Sequence, residues 1–398
     1  MTSPNTSAGI QARGRLRVLT ILLTSSLAFL APSAIAPGLP ALQADFAHLD
    51  NAAFLSPLVL TMPMLFIALA GPFAGYAVDR YGRRNMLMAS TVLYGLAGVS
   101  GLVVDSIVGL LISRALLGVF LAGIMTSVTA LIGDYFVGEE RNRVAGLQGA
   151  FMSLGTLTFV VVAGVLAEIH WRVGFTLFAV AFLLLPLICL SLYEPERGGT
   201  VQANAAESRP TLRQWSTIGL IGALSFVFMI MMFMIPSQMA FFLVEIGVDD
   251  PTRAGLAIGL WNLSAGLASL SYSRFRARLS PESIFALLLA VGGVGYLMTG
   301  FSANFTAAMI AMGVGGFSVG AFLPNINLAI ISRTSMNVRG RALGALTTSF
   351  FLGQFFSPIW AVPIAAASSV GHAFVVSGYI LLAMSAGFLL FVGYRRLR

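Results

Sequence analysis

The sequence predicts an all-α membrane protein with twelve transmembrane helices, arranged as two pseudo-symmetric halves of six. Three observations lead to this fold class. Hydrophobic residues make up 58% of the 398 residues and charged residues only 10%, a balance unlike that of water-soluble domains. Apolar runs long enough to cross a bilayer recur along the chain, and the arginines are concentrated in alternate loops between these runs.

The apolar runs predict the individual helices, because a helix needs about 20 apolar residues to cross roughly 30 Å of hydrocarbon. Runs of this order lie at residues 17–39, 53–77, 86–104, 107–133, 144–167, 173–193, 215–244, 254–272, 283–300, 305–331, 341–366 and 370–393. The first run has the form of a secretory signal, but Pro32 and Pro37 flank its small-residue segment and more apolar runs follow. We therefore interpret it as an uncleaved first span.

The arginines test the number of spans and predict their orientation. Short cytoplasmic loops of membrane proteins carry the excess of positive charge. Of the 23 basic residues, all of which are arginine, the predicted topology leaves only Arg172 and Arg253 outside and Arg114 within a span. The sequence therefore predicts cytoplasmic N- and C-termini and a multi-pass location in a bacterial inner membrane.

The longest polar stretch, residues 194–214, separates the sixth and seventh predicted spans. It is rich in Glu, Arg, Gly and Ala and has a proline near each end, which indicates a flexible cytoplasmic linker. The predicted organisation is a cytoplasmic tail at 1–16, a first half at 17–193, and a second half at 215–398 that ends in a short cytoplasmic tail. Such internal duplication is common in secondary transporters, whose substrate site lies near the bilayer midplane between the repeats.

The loop after the second span carries the sharpest motif of the chain, GYAVDRYGRR, from Gly75 to Arg84. It resembles the signature loop of the major facilitator superfamily, G-x-x-x-D-R-x-G-R-R, at every defined position. The resemblance implies a twelve-helix transporter of the kind found among bacterial drug-efflux permeases, with a conformational latch between its halves. The latch residues implied are Gly75, Asp79, Arg80, Gly82, Arg83, Arg84 and, at the end of helix four, Asp134.

Physical chemistry supports parts of this latch. Gly75 would let neighbouring backbones approach closely, and Asp79 can bind a helix N-terminus or pair with Arg83 four residues later. The corresponding loop of the second half, residues 269–278, keeps arginines but has serines in place of the glycine and the aspartate. Any latch in this protein is therefore expected to be asymmetric.

Two further segments bear on the direction of transport. Pro37-Gly38-Leu39-Pro40 resembles the proline motif of twelve-helix drug exporters. Exporters of the family often carry a glycine-proline pair in helix five, whereas this chain has Phe159-Val160 there. The second comparison weakens the prediction of export.

Arg114 is the candidate coupling residue inside the bilayer, and Asp45 and Asp105 are candidates at its outer surface. An arginine at mid-membrane costs about 2.5 to 3.5 kcal/mol on insertion scales, so it should face the protein interior with a partner or snorkel to the surface. The resemblance links this arginine to proton coupling. No acidic residue lies in the middle of a predicted span, and both aspartates have the alternative interpretation of ordinary periplasmic loop residues.

Neutral amides and aromatic side chains form the candidate substrate cavity. An amide facing lipid is costly, so each should line a cavity or bond to another helix, and both interpretations stay open. The candidates are Phe29, Gln148, Gln238, Trp261, Asn262, Tyr296, Asn325 and Gln354. With Arg114 as its single fixed charge, such a cavity favours an amphipathic or weakly anionic solute.

These features predict a secondary active transporter that moves a small organic solute by alternating access, with export first, import or symport second, and proton coupling left open. A polytopic membrane enzyme is the alternative of another class. It is disfavoured because we expect no catalytic set of paired carboxylates, clustered histidines or a nucleophile with its base within one helix turn at a membrane face. We expect no cofactor, metal site or nucleic-acid partner; the expected partners are the solute and the lipid bilayer, and the expected state is a monomer.

Overall fold

The computed structural model describes residues 4–195, 211–334 and 336–396. All regular elements in these ranges are helical. The α-helices are Pro4–Ser33, Leu39–Asp45, Ala52–Tyr81, Arg83–Val99, Ile107–Tyr135, Gly138–Ile169, Val180–Ser191, Leu212–Met232, Met234–Glu245, Pro251–Arg276, Pro281–Gly300, Phe305–Gly320, Phe322–Arg333, Met336–Ala367 and Val370–Arg396, and the 3-10 helices are Ala36–Gly38, Ser100–Leu102 and Trp171–Ala179. Most of the predicted linker lies outside the described residues.

These helices combine into twelve segments that are long and apolar enough to cross a membrane, which confirms the predicted number. Spans 1 to 12 are Gly14–Asp45, Ala52–Tyr81, Arg83–Leu102, Ile107–Tyr135, Gly138–Ile169, Trp171–Ser191, Gln214–Glu245, Pro251–Arg276, Pro281–Gly300, Phe305–Arg333, Val338–Ala367 and Val370–Leu390. The protein is therefore a multi-pass membrane protein.

Prolines lie just after the helix breaks in spans 7 and 10. Span 7 breaks at Phe233 and span 10 breaks at Ala321, in each case three residues before a proline, Pro236 or Pro324. Proline lacks the amide hydrogen and its ring crowds the preceding turn, so a continuous helix is disfavoured there. In span 1, the Pro37 segment forms a buried 3-10 turn, Ala36–Gly38.

The two halves use the same packing pattern. Span 1 packs against span 5 and span 2 against span 4, while span 7 packs against span 11 and span 8 against span 10. Most contacts between the halves are made where span 5 meets span 8 and where span 2 meets span 11, and the end of span 1, residues 36–45, adds contacts with spans 7 and 8. A path between the halves therefore opens or closes mainly through the first two pairs of spans.

The interface between spans 5 and 8 is closed at one end and open at the other. We call the end with the loops after spans 2, 4, 8 and 10 the arginine-rich end, and the opposite end the arginine-poor end. At the arginine-poor end, a Cβ atom on Gly164 would lie 2.7 Å from the carbonyl oxygen of Pro251, and one on Gly255 would lie 2.6 Å from that of Val160. Toward the arginine-rich end, a Cβ atom on Gly149 or Gly266 would meet nothing within 4 Å.

Candidate functional site

The motif loop between spans 2 and 3 brings part of the predicted latch together. Gly82 has a φ of +96°, a conformation that favours glycine and turns the chain sharply into span 3. The guanidinium of Arg83 then forms an ion pair with the carboxylate of Asp134 at the end of span 4. Arg80 lies along span 2 and donates a hydrogen bond to the hydroxyl of Tyr76 at 2.8 Å.

Asp79 and Gly75 stand apart from this ion pair. Asp79 is exposed, and Arg83 pairs with Asp134 and not with Asp79 as one sequence-based alternative held. A Cβ atom on Gly75 would meet nothing within 4 Å, so the close approach expected there is absent in this conformation. Both residues lie at the open end of the molecule, where the two halves are separated.

Glu194 is a functional residue that the sequence reasoning missed, because it was assigned to the linker. Its carboxylate accepts hydrogen bonds from the backbone amides of Arg83 at 2.7 Å and Arg84 at 2.9 Å. The Arg84 guanidinium donates in turn to the carbonyl oxygen of Cys189 at 3.0 Å. Glu194 therefore caps the positive N-terminus of span 3 and ties the end of span 6 to the motif loop.

We expect Glu194→Gln to lower the stability of the first half by about 0.5–2 kcal/mol, the usual cost of losing a good helix cap. The amide keeps the size of the side chain but loses the negative charge and one of the two acceptor oxygens. Thermal unfolding of the purified protein in detergent measures the change. Glu168→Gln, at an exposed glutamate of the arginine-poor end, is the control and should leave the melting temperature unchanged.

Arg114 lies neither in an open cavity nor at the surface. Its side chain is completely buried, and one terminal nitrogen, Nη2, donates to the carbonyl oxygens of Ala97 and Gly98 at 3.0 Å each. The guanidinium also lies over the rings of Phe175 and Phe178, 4.8 and 4.9 Å from their centroids. Arg114 thus binds the C-terminal end of span 3 and packs against span 6, so snorkelling is excluded in this conformation.

The two candidate aspartates lie at the arginine-poor end and bind span 6. One carboxylate oxygen of Asp45 accepts a hydrogen bond from the indole nitrogen of Trp171 at 2.5 Å, with His170 Nε2 3.9 Å away. Asp105 is 90% exposed and pairs with Arg172 at 3.1 Å. Its predicted proximity to Arg114 therefore does not lead to an ion pair between them.

A small cleft of about 30 Å³, with room for about one or two water molecules, lies between spans 1, 4 and 5. Gln148 is the one predicted cavity residue that lines it, and its side-chain nitrogen donates to the hydroxyl of Ser25 at 3.0 Å. The other lining residues are apolar or neutral: Ala28, Ile124, Met125, Val128, Thr129 and Met152. The cleft therefore offers hydrogen-bonding groups and polarizable methionines but no charge.

Three other candidate cavity residues pack or bond between helices of the second half in this structure. Trp261 is buried against Gly315 and Gly316 of span 10, at close-packed positions where a Cβ atom would clash. The Tyr296 hydroxyl donates to the carbonyl oxygen of Met231, and the Asn325 side chain donates to that of Pro281 at 3.0 Å. These polar groups join helices because an apolar interior offers no other partners.

The remaining four candidates lie on four different spans, 1, 7, 8 and 11. Phe29 is 37% exposed, and the Asn262 amide bonds to the carbonyl oxygen of Ile258 on its own helix at 2.8 Å. Gln354 is buried, with its amide nitrogen 3.9 Å from the sulfur of Met229. Gln238 is buried and its side-chain nitrogen has no hydrogen-bond partner in the structure. Among the described residues, no group of three or more His, Cys, Asp or Glu is placed to hold a metal ion.

Comparisons with known proteins match this architecture. The family model of the Major Facilitator Superfamily matches residues 21–358. Multidrug resistance protein 1 of Bacillus subtilis (strain 168) is 35% identical over 182 residues, a match that spans only 45% of this chain and 46% of that protein. The class C tetracycline resistance protein of Escherichia coli is 26% identical over 92% of this chain and 94% of its own length. A crystal structure of a D-xylose-proton symporter superposes with a TM-score of 0.73, at 16% identity, over 93% of this chain and 96% of its own.

Proposed function

Because the chain belongs to the major facilitator superfamily, we propose that it is a secondary active transporter that exports a small organic solute across a bacterial inner membrane. Membership of this family identifies a transporter of solutes or drugs and not an enzyme. The proposal adds a direction, a mechanism of alternating access, and a location. It also places the arginine-rich end in the cytoplasm, following the distribution of positive charge.

The observation that carries the proposal is the asymmetry of the interface between spans 5 and 8. Backbone contacts at Gly164 and Gly255 seal it at the arginine-poor end, while the glycines toward the arginine-rich end face open space. A path that is sealed at one end and open at the other is the arrangement that alternating access requires of each of its end states.

The lining of the cleft favours an uncharged or amphipathic organic solute. Its methionines and aliphatic side chains supply polarizable apolar surface, and Ser25, Thr129 and Gln148 supply hydrogen bonds. The weakly anionic solute favoured by the sequence required Arg114 in the cavity. Since Arg114 is buried against spans 3 and 6, that part of the prediction is withdrawn.

Export, with protons as the coupling ion, is our first proposal, and uptake is the alternative. The similarity to two drug-resistance proteins supports export, and the similarity to a D-xylose-proton symporter supports proton-coupled uptake as the second candidate. Asp45 is our candidate for a coupling residue, because its carboxylate lies beside His170 at the end of span 1.

Cellular accumulation of a panel of neutral and amphipathic compounds tests the proposal. Cells that express the protein should accumulate less of at least one compound than cells that express Asp79→Asn at equal level. A protonophore should abolish the difference if protons drive export. Higher accumulation would contradict export and support uptake, and equal accumulation of every compound in both strains would contradict the transport of this solute class.

A further inference from the structure

The contacts between spans 5 and 8 follow a constant register. These spans are antiparallel, and Gly164 lies against Pro251 while Val160 lies against Gly255. Leu157 and Val161 then contact Gly259. Each step back along span 5 therefore corresponds to an equal step forward along span 8, as expected for two helices with the same rise per residue.

This register can be extended to the arginine-rich end, because both helices are uninterrupted. The α-helix Gly138–Ile169 contains no proline, and in Pro251–Arg276 the only proline is at the first position. Glu139 lies 25 positions before Gly164, and Arg276 lies 25 positions after Pro251. Both residues are thus about 37 Å from the closed contact, at 1.5 Å per residue.

The helical phase agrees with the register. At 3.6 residues per turn, the face of span 5 that includes Gly164 also includes Gly149 and Glu139. The face of span 8 that includes Gly255 also includes Gly266 and Arg276. The register sets Gly149 opposite Gly266, two positions that would allow the backbones to approach closely once the open end closes.

The charges at the two ends are complementary. Glu139 and Glu140 lie in the first turn of span 5, and both are exposed. Arg274 and Arg276 lie in the last turn of span 8 and are also exposed. The basic residue nearest to these glutamates on the same face of span 5, Arg143, falls opposite the neutral Tyr272 in this register.

We propose that Glu139 binds Arg276 when the arginine-rich end closes, forming a second latch whose polarity is reversed relative to the motif loop. In the first half, the carboxylate of Asp79 is carried by the last turn of span 2. In the second half the arginine is carried by the end of span 8, and the partner helix supplies the carboxylate. This inference rests on the alternating access of the proposed function.

The ion pairs inside the two halves also have their acidic and basic partners exchanged. Arg83 at the start of span 3 forms an ion pair with Asp134 at the end of span 4. In the second half, Glu282 at the start of span 9 forms an ion pair with Arg333 at the end of span 10. The corresponding positions of the two halves therefore carry opposite charges.

Thiol cross-linking tests the register without any transported solute, so its outcome is independent of the substrate and direction proposed above. The chain has a single cysteine, and Cys189→Ser provides the background. The pair Glu139→Cys and Arg276→Cys should cross-link, and Gly255→Leu, which blocks the closed contact at the other end, should raise the yield several-fold. Val161→Cys with Gly259→Cys, in contact in this structure, is the positive control, and Arg143→Cys with Arg276→Cys is the off-register control.

The charge component has its own test, using Gly149→Cys with Gly266→Cys as the reporter of closure. Glu139→Arg should lower the yield of this cross-link about five-fold, and the added Arg276→Glu should restore it, since an exposed ion pair contributes a modest but measurable free energy. Equal yields at the register and off-register pairs would overturn the register. So would the absence of the Glu139–Arg276 cross-link in the Gly255→Leu background, provided that the positive control forms in the Cys189→Ser background alone. A reporter yield unaffected by Glu139→Arg would overturn the latch.

Discussion

Transport by Gly255→Leu is expected to fall on the order of 10- to 100-fold, with the protein still folded and inserted. A Cβ atom at this position would already lie 2.6 Å from the carbonyl oxygen of Val160, so a leucine cannot fit while spans 5 and 8 are in contact. Overpacking of this kind costs typically 1–3 kcal/mol. The cost falls mainly on the conformation in which the arginine-poor end is closed, so the protein should accumulate in the opposite conformation.

Labelling of an introduced cysteine measures this shift directly. In the Cys189→Ser background, Thr252→Cys should react slowly with a membrane-impermeant maleimide when the contact is closed, and faster when Gly255→Leu is added. Gly387→Leu is the matched control, because a Cβ atom on Gly387 would meet nothing within 4 Å. Normal transport by Gly255→Leu, or equal loss in both leucine variants, would contradict the role given to this contact.

The second large effect is expected at Arg114, and it concerns stability more than substrate charge. Replacement by methionine leaves the carbonyl oxygens of Ala97 and Gly98 without their donor at the buried end of span 3. Unsatisfied buried polar groups cost about 1–3 kcal/mol each, and the contacts with two phenylalanine rings are lost as well. We expect Arg114→Met to lower the stability of the first half by about 2–5 kcal/mol.

Thermal unfolding in detergent checks this expectation. Arg253→Met is the control, because Arg253 is 52% exposed and its ion pair with Asp250 lies at the surface, where such pairs contribute little. In cells, the relative transport of cationic, neutral and anionic compounds by Arg114→Met should match that of the unchanged protein. A selective gain of cationic compounds with unchanged stability would mean that Arg114 faces the substrate.

The sequence predicted the features of this protein that depend on local composition. Apolar length sets the number of spans, and the loop motif from Gly75 to Arg84 indicated the family and placed Arg83 close to its partner, Asp134. Both follow from residues near one another in the chain or from a pattern shared by relatives.

Contacts between distant segments could not be predicted in this way. Glu194 caps span 3 from about 110 positions along the chain, and nothing in its neighbourhood distinguishes it from the linker glutamates. The direction in which the Arg114 side chain points depends on the rotation of span 4 about its own axis. The sequence does not determine this rotation, because the twelve spans are apolar on every side. Trp261 and Tyr296 were assigned to a cavity for the same reason, because depth in a span says little about which neighbour a side chain faces.

The central claim is that spans 5 and 8 rock against each other, so that one end opens as the other closes. Electron-paramagnetic-resonance distances between spin labels test it most directly, with one pair at Arg143 and Ala277 of the arginine-rich end and one at Glu168 and Asp249 of the arginine-poor end. On addition of Gly255→Leu, the first distance should shorten while the second lengthens. Two distances that stay constant, or that change in the same direction, would contradict alternating access through this interface.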